Sequence, residues 1–260
     1  TAKNKDLKIE ILDARKSEET VIHSAKVLSG VIKPGQQVEA EIDAARRGRI
    51  ACNHTATHLL QAALRKVLGA HVRQSGSWVG PDKLRFDFTH FQVLNQRQLA
   101  RVEELVNREI RQNKKLNVLN TTFEESQKMG ALALFGEKYQ EKVRVVKIAD
   151  TSLELCGGTH VSSTAEIGMF KIISESSVAS GIRRVEALTG ERARAVLKEK
   201  ASRIKGLIRD FGGTQEQLPQ RLEKFLRRIK KLNQRLDNTR MKDFKSAIDG
   251  IVTGASEISG

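Results

Sequence analysis

Cysteine is scarce in this sequence, with Cys52 and Cys156 the two among 260 residues. Two thiols are too few for a disulfide framework, so a reducing compartment, the cytosol, is the expectation. Aromatic residues make up 4% of the chain, which argues against a surface that stacks bases. No run approaches the roughly 18 consecutive apolar residues of a membrane span. The N-terminus, Thr1-Ala-Lys-Asn-Lys, has neither an initiator Met nor the apolar region of a signal peptide, and reads as the start of a fragment. Acidic residues are also in deficit. The 31 Asp+Glu face 46 Lys+Arg, and the net +15 predicts a polyanionic partner, nucleic acid before membrane.

What is present narrows the reading. Hydrophobic residues form 39% of the chain, enough for a core in one large domain or two small ones. From Arg183 to Arg235, 16 Lys+Arg stand against 6 Asp+Glu, so this stretch holds +10 of the net +15. With so few aromatics, phosphate contact is the expected use of such a surface, set against the plainer reading of a solvated helical face.

The opening alternates at Leu7, Ile9 and Ile11, with Val21 and Val27 in further short segments. After a Pro34-Gly35 turn the alternation returns at Val38, Ala40 and Ile42, which predicts a partial β-barrel lead-in over residues 1–46. Asp43 is placed to cap a helix running to about Leu68, with Ile50, Leu60, Leu64, Val67 and Leu68 apolar and Gly69 just past its end. A hairpin follows, Val72 to Val79 and Leu84 to Phe88, in which Arg85 and Asp87 share the polar face and can pair. Then come a helix through Leu99, Val102, Val106 and Ile110, a strand near Val118, and a short helix from about Glu124 to Leu134. Strands are expected at Val143 to Ala149, Met169 to Ile173 and Arg184 to Leu188. Helices and strands mix without a strict βαβ rhythm, so residues 47–190 are expected to be α+β with a largely antiparallel sheet. From Gly190 the pattern is helical. One helix ends at Gly212-Gly213, and a second carries Leu222, Phe225, Ile229, Leu232 and Leu236 at spacings of three and four. This predicts a helical hairpin or short coiled coil over residues 191–240, with 241–260 as the start of a truncated domain.

The chemical signal lies in HTATH, His54 to His58. Histidines at i and i+4 project from one helical face and can chelate one ion. A metalloprotease helix would read HExxH with glutamate as general base; Thr55 stands there instead, which disfavours a zinc peptidase. CGGTH adds Cys156 and His160 around a Gly-Gly turn that lets the backbone fold tightly. Three imidazoles and a thiolate suit Zn2+, which accepts nitrogen and sulfur in a tetrahedron. Four protein ligands ordinarily mean a closed structural site. These four are split about 100 residues apart, on a helix and on a loop, unlike a compact zinc finger, and a site with room for water or a substrate amine stays open. His23, His71 and His90 have no second ligand near them in sequence, and Cys52 reads as a core residue.

The strings RIACNHTATHLLQAALRKVLG, VRQSGSWV, LRFDF, GALALFGEKY, LELCGGTHV and GIRRVEALTG, in this order, resemble the editing domain of alanyl-tRNA synthetase. The resemblance runs from about Val31 to Arg240 and covers the end of the lead-in, the editing core and the helical linker. Threonyl-tRNA synthetase editing domains and free-standing editing proteins share the metal pattern, but GALALFGEKY and the helical extension fit the alanyl enzyme better. The resemblance implies a zinc-containing site at His54, His58, Cys156 and His160 that hydrolyses Ser-tRNA(Ala) and Gly-tRNA(Ala) at the aminoacyl ester. A pocket for alanine cannot exclude glycine sterically and discriminates poorly against serine, so a second sieve is needed. Gln74 matches a position of the family's editing pocket and is the candidate catalytic residue, with Ser75 beside it for sensing the serine hydroxyl or positioning water. Arg183 and Arg184 are expected near phosphates of the acceptor end. The implied partners are tRNA(Ala) and the rest of the synthetase, with no membrane, and the fragment is expected to be a monomer. The alternative is a non-catalytic tRNA-binding module with a structural zinc.

Overall fold

The computed structural model describes residues 2–3, 6–17, 20–133 and 140–254. The six residues 134–139, which include the whole FGEKY string and the expected end of the short helix at Leu134, lie outside the described residues, as do 255–260. The chain is α+β, and its paired strands all run antiparallel among the described residues. It divides into two compact units, Thr1–Arg194 and Ala195–Gly260.

In the first unit, β1 (Ala2–Lys3), β2 (Lys8–Ser17), β3 (Thr20–Ser29) and β4 (Glu39–Ala40) form a four-stranded sheet in the order β3-β2-β1-β4. The alternation seen in the sequence has its expected result, since Leu7 and Ile9 are buried with Ala2, and Ile11 packs against them. This small core is separate from the main one, and the sheet is open among the described residues.

The main core is built on α1 (Ala44–Leu68). Asp43 Oδ1 accepts a hydrogen bond from Arg46 N–H at 2.8 Å, and the helix stops at Gly69, whose φ of +118° favours glycine. The hairpin follows as β5 (Gln74–Val79) and β6 (Leu84–Thr89), and then α2 (Gln96–Arg111) begins at a capping box between Asn95 and Gln98. The rest of the unit is β7 (Leu116–Thr122), α3 (Phe123–Lys128), β8 (Lys142–Ile148), β9 (Ser152–Leu155), β10 (Phe170–Ala179) and β11 (Ile182–Thr189). Two sheets result, ordered β10-β11-β6-β5 and β7-β8-β9. Strand β9 has no counterpart in the sequence-based expectation, and α3 ends at Lys128, ahead of Gly130 with its φ of +77°.

The apolar stripes of α1 and α2 meet the inner face of the hairpin. Leu59, Leu60, Leu64, Val102, Val106, Phe86, Phe88 and Phe170 share one buried cluster, each contributing about 1.5–3 kcal/mol by leaving water. Polar ties fix the helix against that sheet. Asn53, 1% exposed, donates to the Gly80 carbonyl at 2.8 Å and accepts from the Thr189 hydroxyl at 2.7 Å. Thus α1 holds a fixed rotation, and its histidines point toward β9.

In the second unit the chain turns through Gly212 and Gly213, with φ of +70° and +90°, between α4 (Gly190–Phe211) and α5 (Leu218–Gly254). The Phe211 and Phe225 rings meet edge to face at 5.5 Å, and Arg221 donates to the Phe211 carbonyl. No residue of α5 is buried, and its Leu222, Phe225, Ile229, Leu232 and Leu236 stripe is exposed. The helix continues without a break past residue 240, where a boundary was expected. No helix among the described residues is long and apolar enough to cross a membrane.

Candidate metal centre

His54 and His58 leave α1 on one face, as their spacing predicts, and the loop after β9 brings Cys156 and His160 to meet them. The four ligand atoms lie within 4.8 Å of one another. Cys156 Sγ is 3.4 Å from His54 Nε2 and 3.3 Å from His160 Nε2. A zinc tetrahedron with ordinary bond lengths has edges of about 3.5 Å, so the donors are spaced to hold such an ion. Gly158 is what lets the loop come so close, because a methyl group there would overlap the His54 ring. A second tie holds the loop: Arg144, on β8, donates to the carbonyls of Cys156 and Gly158 at 2.8 Å each.

The far nitrogens of two rings also have partners. His160 Nδ1 lies 3.1 Å from Thr55 Oγ1, which also accepts from the Val161 N–H. His58 Nδ1 lies 3.2 Å from Glu154 Oε2, at ion-pair distance but out of line for a well-formed hydrogen bond. Glu154 is itself buried and accepts from the Ser152 hydroxyl at 2.6 Å. Partners on Nδ1 leave the Nε2 lone pairs for an ion, the arrangement by which metal-binding histidines are usually oriented. The residue standing where a protease has its glutamate is thus an orienting group for a ligand from another segment.

Without a metal the cluster is a charge pair. Burial opposes ionisation of Cys156, but hydrogen bonds from His160, His54 and His58 outweigh it and bring the thiol down to about 3. Burial also opposes charge on His58, yet Glu154 beside it, with help from Cys156, raises the ring to about 10. Burial holds His160 below its ordinary value. A bound cation would find a thiolate already formed and would displace the His58 proton.

Beside the cluster is a pocket of about 240 Å³ lined by Gln61, Arg65, Arg73, Gln74, Glu154 and the apolar Leu132. Glu154 belongs to both, with one carboxylate oxygen on His58 and its side chain in the pocket wall. Gln74, half-buried at the start of β5, faces this space. Ser75 is exposed and is not among the lining residues, as expected for the next residue along a strand, whose side chain projects to the other face. The two arginines expected near phosphates have carboxylate partners within the protein. Arg183 is 8% exposed and held by Glu175, at 2.6 Å through Nε and 2.5 Å through Nη2. Arg184 grips Asp87 with two hydrogen bonds of 2.7 and 2.8 Å, leaving Arg85 at 3.8 Å from that carboxylate. Two guanidinium groups matched by carboxylates in this way tie the sheet together. His71 and His90, read as ordinary positions, stack with their nitrogens 2.9 Å apart.

Four contributors went unread in the sequence: Thr55, Gln61, Arg144 and Glu154. Glu154 and Gln61 had a signal. Gln61 follows His58 by three on a helix, and Glu154 stands two residues before Cys156 in the chain, close to a predicted ligand though on a strand the sequence does not announce.

A segment described as the threonyl and alanyl tRNA synthetase second additional domain matches residues 143–186, from β8 through the CGGTH loop into β11. The whole chain has longer relatives. It is 46% identical over 248 residues to the alanine-tRNA ligase of Desulforamulus reducens, covering 95% of this chain and 28% of that protein. The resemblance to alanyl-tRNA synthetases stands. Identity is 43% to the alanine-tRNA ligase of Acetivibrio thermocellus, over 97% of this chain and 29% of the relative. It is again 43% to that of Xanthomonas campestris pv. campestris, over 98% and 29%. The chain therefore spans somewhat over a quarter of the length of these alanyl-tRNA synthetases, in the region that carries the additional domain.

Proposed function

We propose that this chain is the editing region of an alanyl-tRNA synthetase and hydrolyses Ser-tRNA(Ala) and Gly-tRNA(Ala) at the aminoacyl ester. The observation that carries the reading is the junction of two features, a four-donor metal cluster and a polar pocket that share Glu154. His54, His58, Cys156 and His160 would hold zinc, which supplies an electrophile able to polarise a water or bind the substrate's α-amino group. Glu154 and Thr55 hold the His58 and His160 rings in place. Gln74 lines the same pocket as Glu154 and orients the ester or the attacking water. An aminoacyl ester is already activated, so a dedicated strong base is not required. The pocket wall also offers Arg65 and Arg73, and these, rather than Arg183 and Arg184, are the cations near which acceptor-end phosphates would lie. Arg65 already donates to the carbonyls of Ala70 and Val72, which leaves Arg73 the freer of the two. The partners in this reading are tRNA(Ala) and the remainder of the synthetase, the setting is the cytoplasm, and the chain is a monomer.

The donor set itself favours one competing reading, since four protein ligands suit a structural zinc in a tRNA-binding module. Release of labelled serine from Ser-tRNA(Ala), beside Ala-tRNA(Ala), separates the two when wild type and His58→Ala are compared with their metal content measured. Selective serine release, lost in the variant while the protein stays folded, is the expected result. A metal-loaded wild type that releases nothing overturns the hydrolytic reading.

A further inference from the structure

Gln61 is the one pocket residue whose burial and bonding do not match. It is 6% exposed, and its Oε1 is buried with no hydrogen-bond partner. Buried polar atoms are so regularly satisfied that an orphan in a pocket wall asks what completes it. The other inner polar groups of that wall are committed. Glu154 takes Ser152 and faces His58, and Arg65 donates to two backbone carbonyls. Gln74 is more open to solvent. Gln61 lies three residues beyond His58 on α1, and so opens onto the pocket on the side where the metal ligands lie.

We propose that Gln61 is a specificity-determining residue whose Oε1 accepts the hydrogen bond of the substrate's serine hydroxyl. This rests on the deacylase reading above and assigns its selectivity to an atom. Alanine is serine without its hydroxyl, so a pocket that admits serine cannot exclude alanine by shape. It can do so by polarity. Serine completes Gln61, whereas the methyl group of alanine stops short of the oxygen and leaves too small a gap for a water, so Oε1 stays unpaired. Glycine leaves the space empty, and a water that bonds to Oε1 can stay. One acceptor therefore passes serine and glycine and rejects the residue between them.

Non-hydrolysable seryl and alanyl amides of 3′-amino-adenosine test the binding step, and Ser-tRNA(Ala) and Ala-tRNA(Ala) test the reaction. Wild type is expected to prefer the seryl amide in calorimetry. Gln61→Met, close in volume, and Gln61→Asn, which withdraws the amide by one carbon, are both expected to lose that preference. The loss is expected to be about tenfold to a hundredfold in the serine-to-alanine ratio, with serine weakened and alanine, freed of the unpaired oxygen, strengthened. Because Oε1 has no partner to lose, Gln61→Met should melt no earlier than wild type and bind as much metal. Serine and alanine falling together, or an unchanged ratio in both variants, overturns the assignment. A wild type that prefers the seryl amide through Gln61 but cleaves no ester leaves the assignment standing and removes the hydrolytic reading. A wild type that binds neither amide removes both.

Discussion

Helices α1 and α5 both carry apolar residues at helical spacing, yet the structure uses them in opposite ways. In the 25 residues of α1, eleven are buried, including His58, Gln61, Leu60 and Leu64; in the 37 residues of α5, none is. The periodicity that both helices show specifies a helix with an apolar side, and nothing in it says whether the chain supplies a surface to cover that side. For α1 it does, in the inner face of the β5–β6 hairpin and in α2. The polar residues on the covered helix are the informative ones. A histidine and a glutamine that a core would ordinarily exclude are kept there because a site lies against them.

This contrast can be broken at the site first. Cys156→Ala is expected to reduce bound metal from about one equivalent to little, and to abolish deacylation, while circular dichroism still reports a folded chain, since the Phe86–Phe88–Leu60 cluster does not depend on the ion. Global unfolding of that variant would instead make the metal a brace. Glu175→Ala strands the buried Arg183 guanidinium and should cost about 3–5 kcal/mol in denaturant unfolding. If Arg183 is a phosphate contact after all, tRNA affinity will fall and stability will not. Leu60→Ala is expected to cost about 2–5 kcal/mol, as a fully buried leucine in a close-packed cluster. Glu154→Gln keeps the shape of the His58 partner but removes its charge, and chelator competition should show metal affinity lower by about 10- to 100-fold. The smallest effect sharpens the contrast most: Leu232→Ala on α5, at a residue 52% exposed, should change stability by less than about 0.5 kcal/mol. A cost like that of Leu60→Ala would mean that α5 has a covered face in solution.

Much of the site was legible because its signals are local. Asp43 and Gly69 bound α1, and the spacing within HTATH and CGGTH presents each pair of ligands. What was missed depends on who sits opposite. Arg184 looks in the sequence like a cation for phosphate, and only the register of β11 on β6 reveals Asp87, 97 residues away, as its partner. Arg183 meets Glu175 for the same reason, across the β10–β11 hairpin. Ser75 was read together with Gln74, but adjacent residues on a strand face opposite sides, and only Gln74 lines the pocket. Strand β9 is four residues long, too short for alternation to announce it, and it carries Glu154.

The separation of the ligands also sets an order in time. His58 and Cys156 are 98 positions apart, and a ribosome adding about 5–20 residues per second makes the second half of the site roughly 5–20 s after the first. Until CGGTH emerges, a nascent chain offers an ion two imidazoles on one helix and no thiolate. A metal could therefore close the site only after β8, β9 and the CGGTH loop have been made, while β10 and β11, half of the sheet that packs on α1, are still to come.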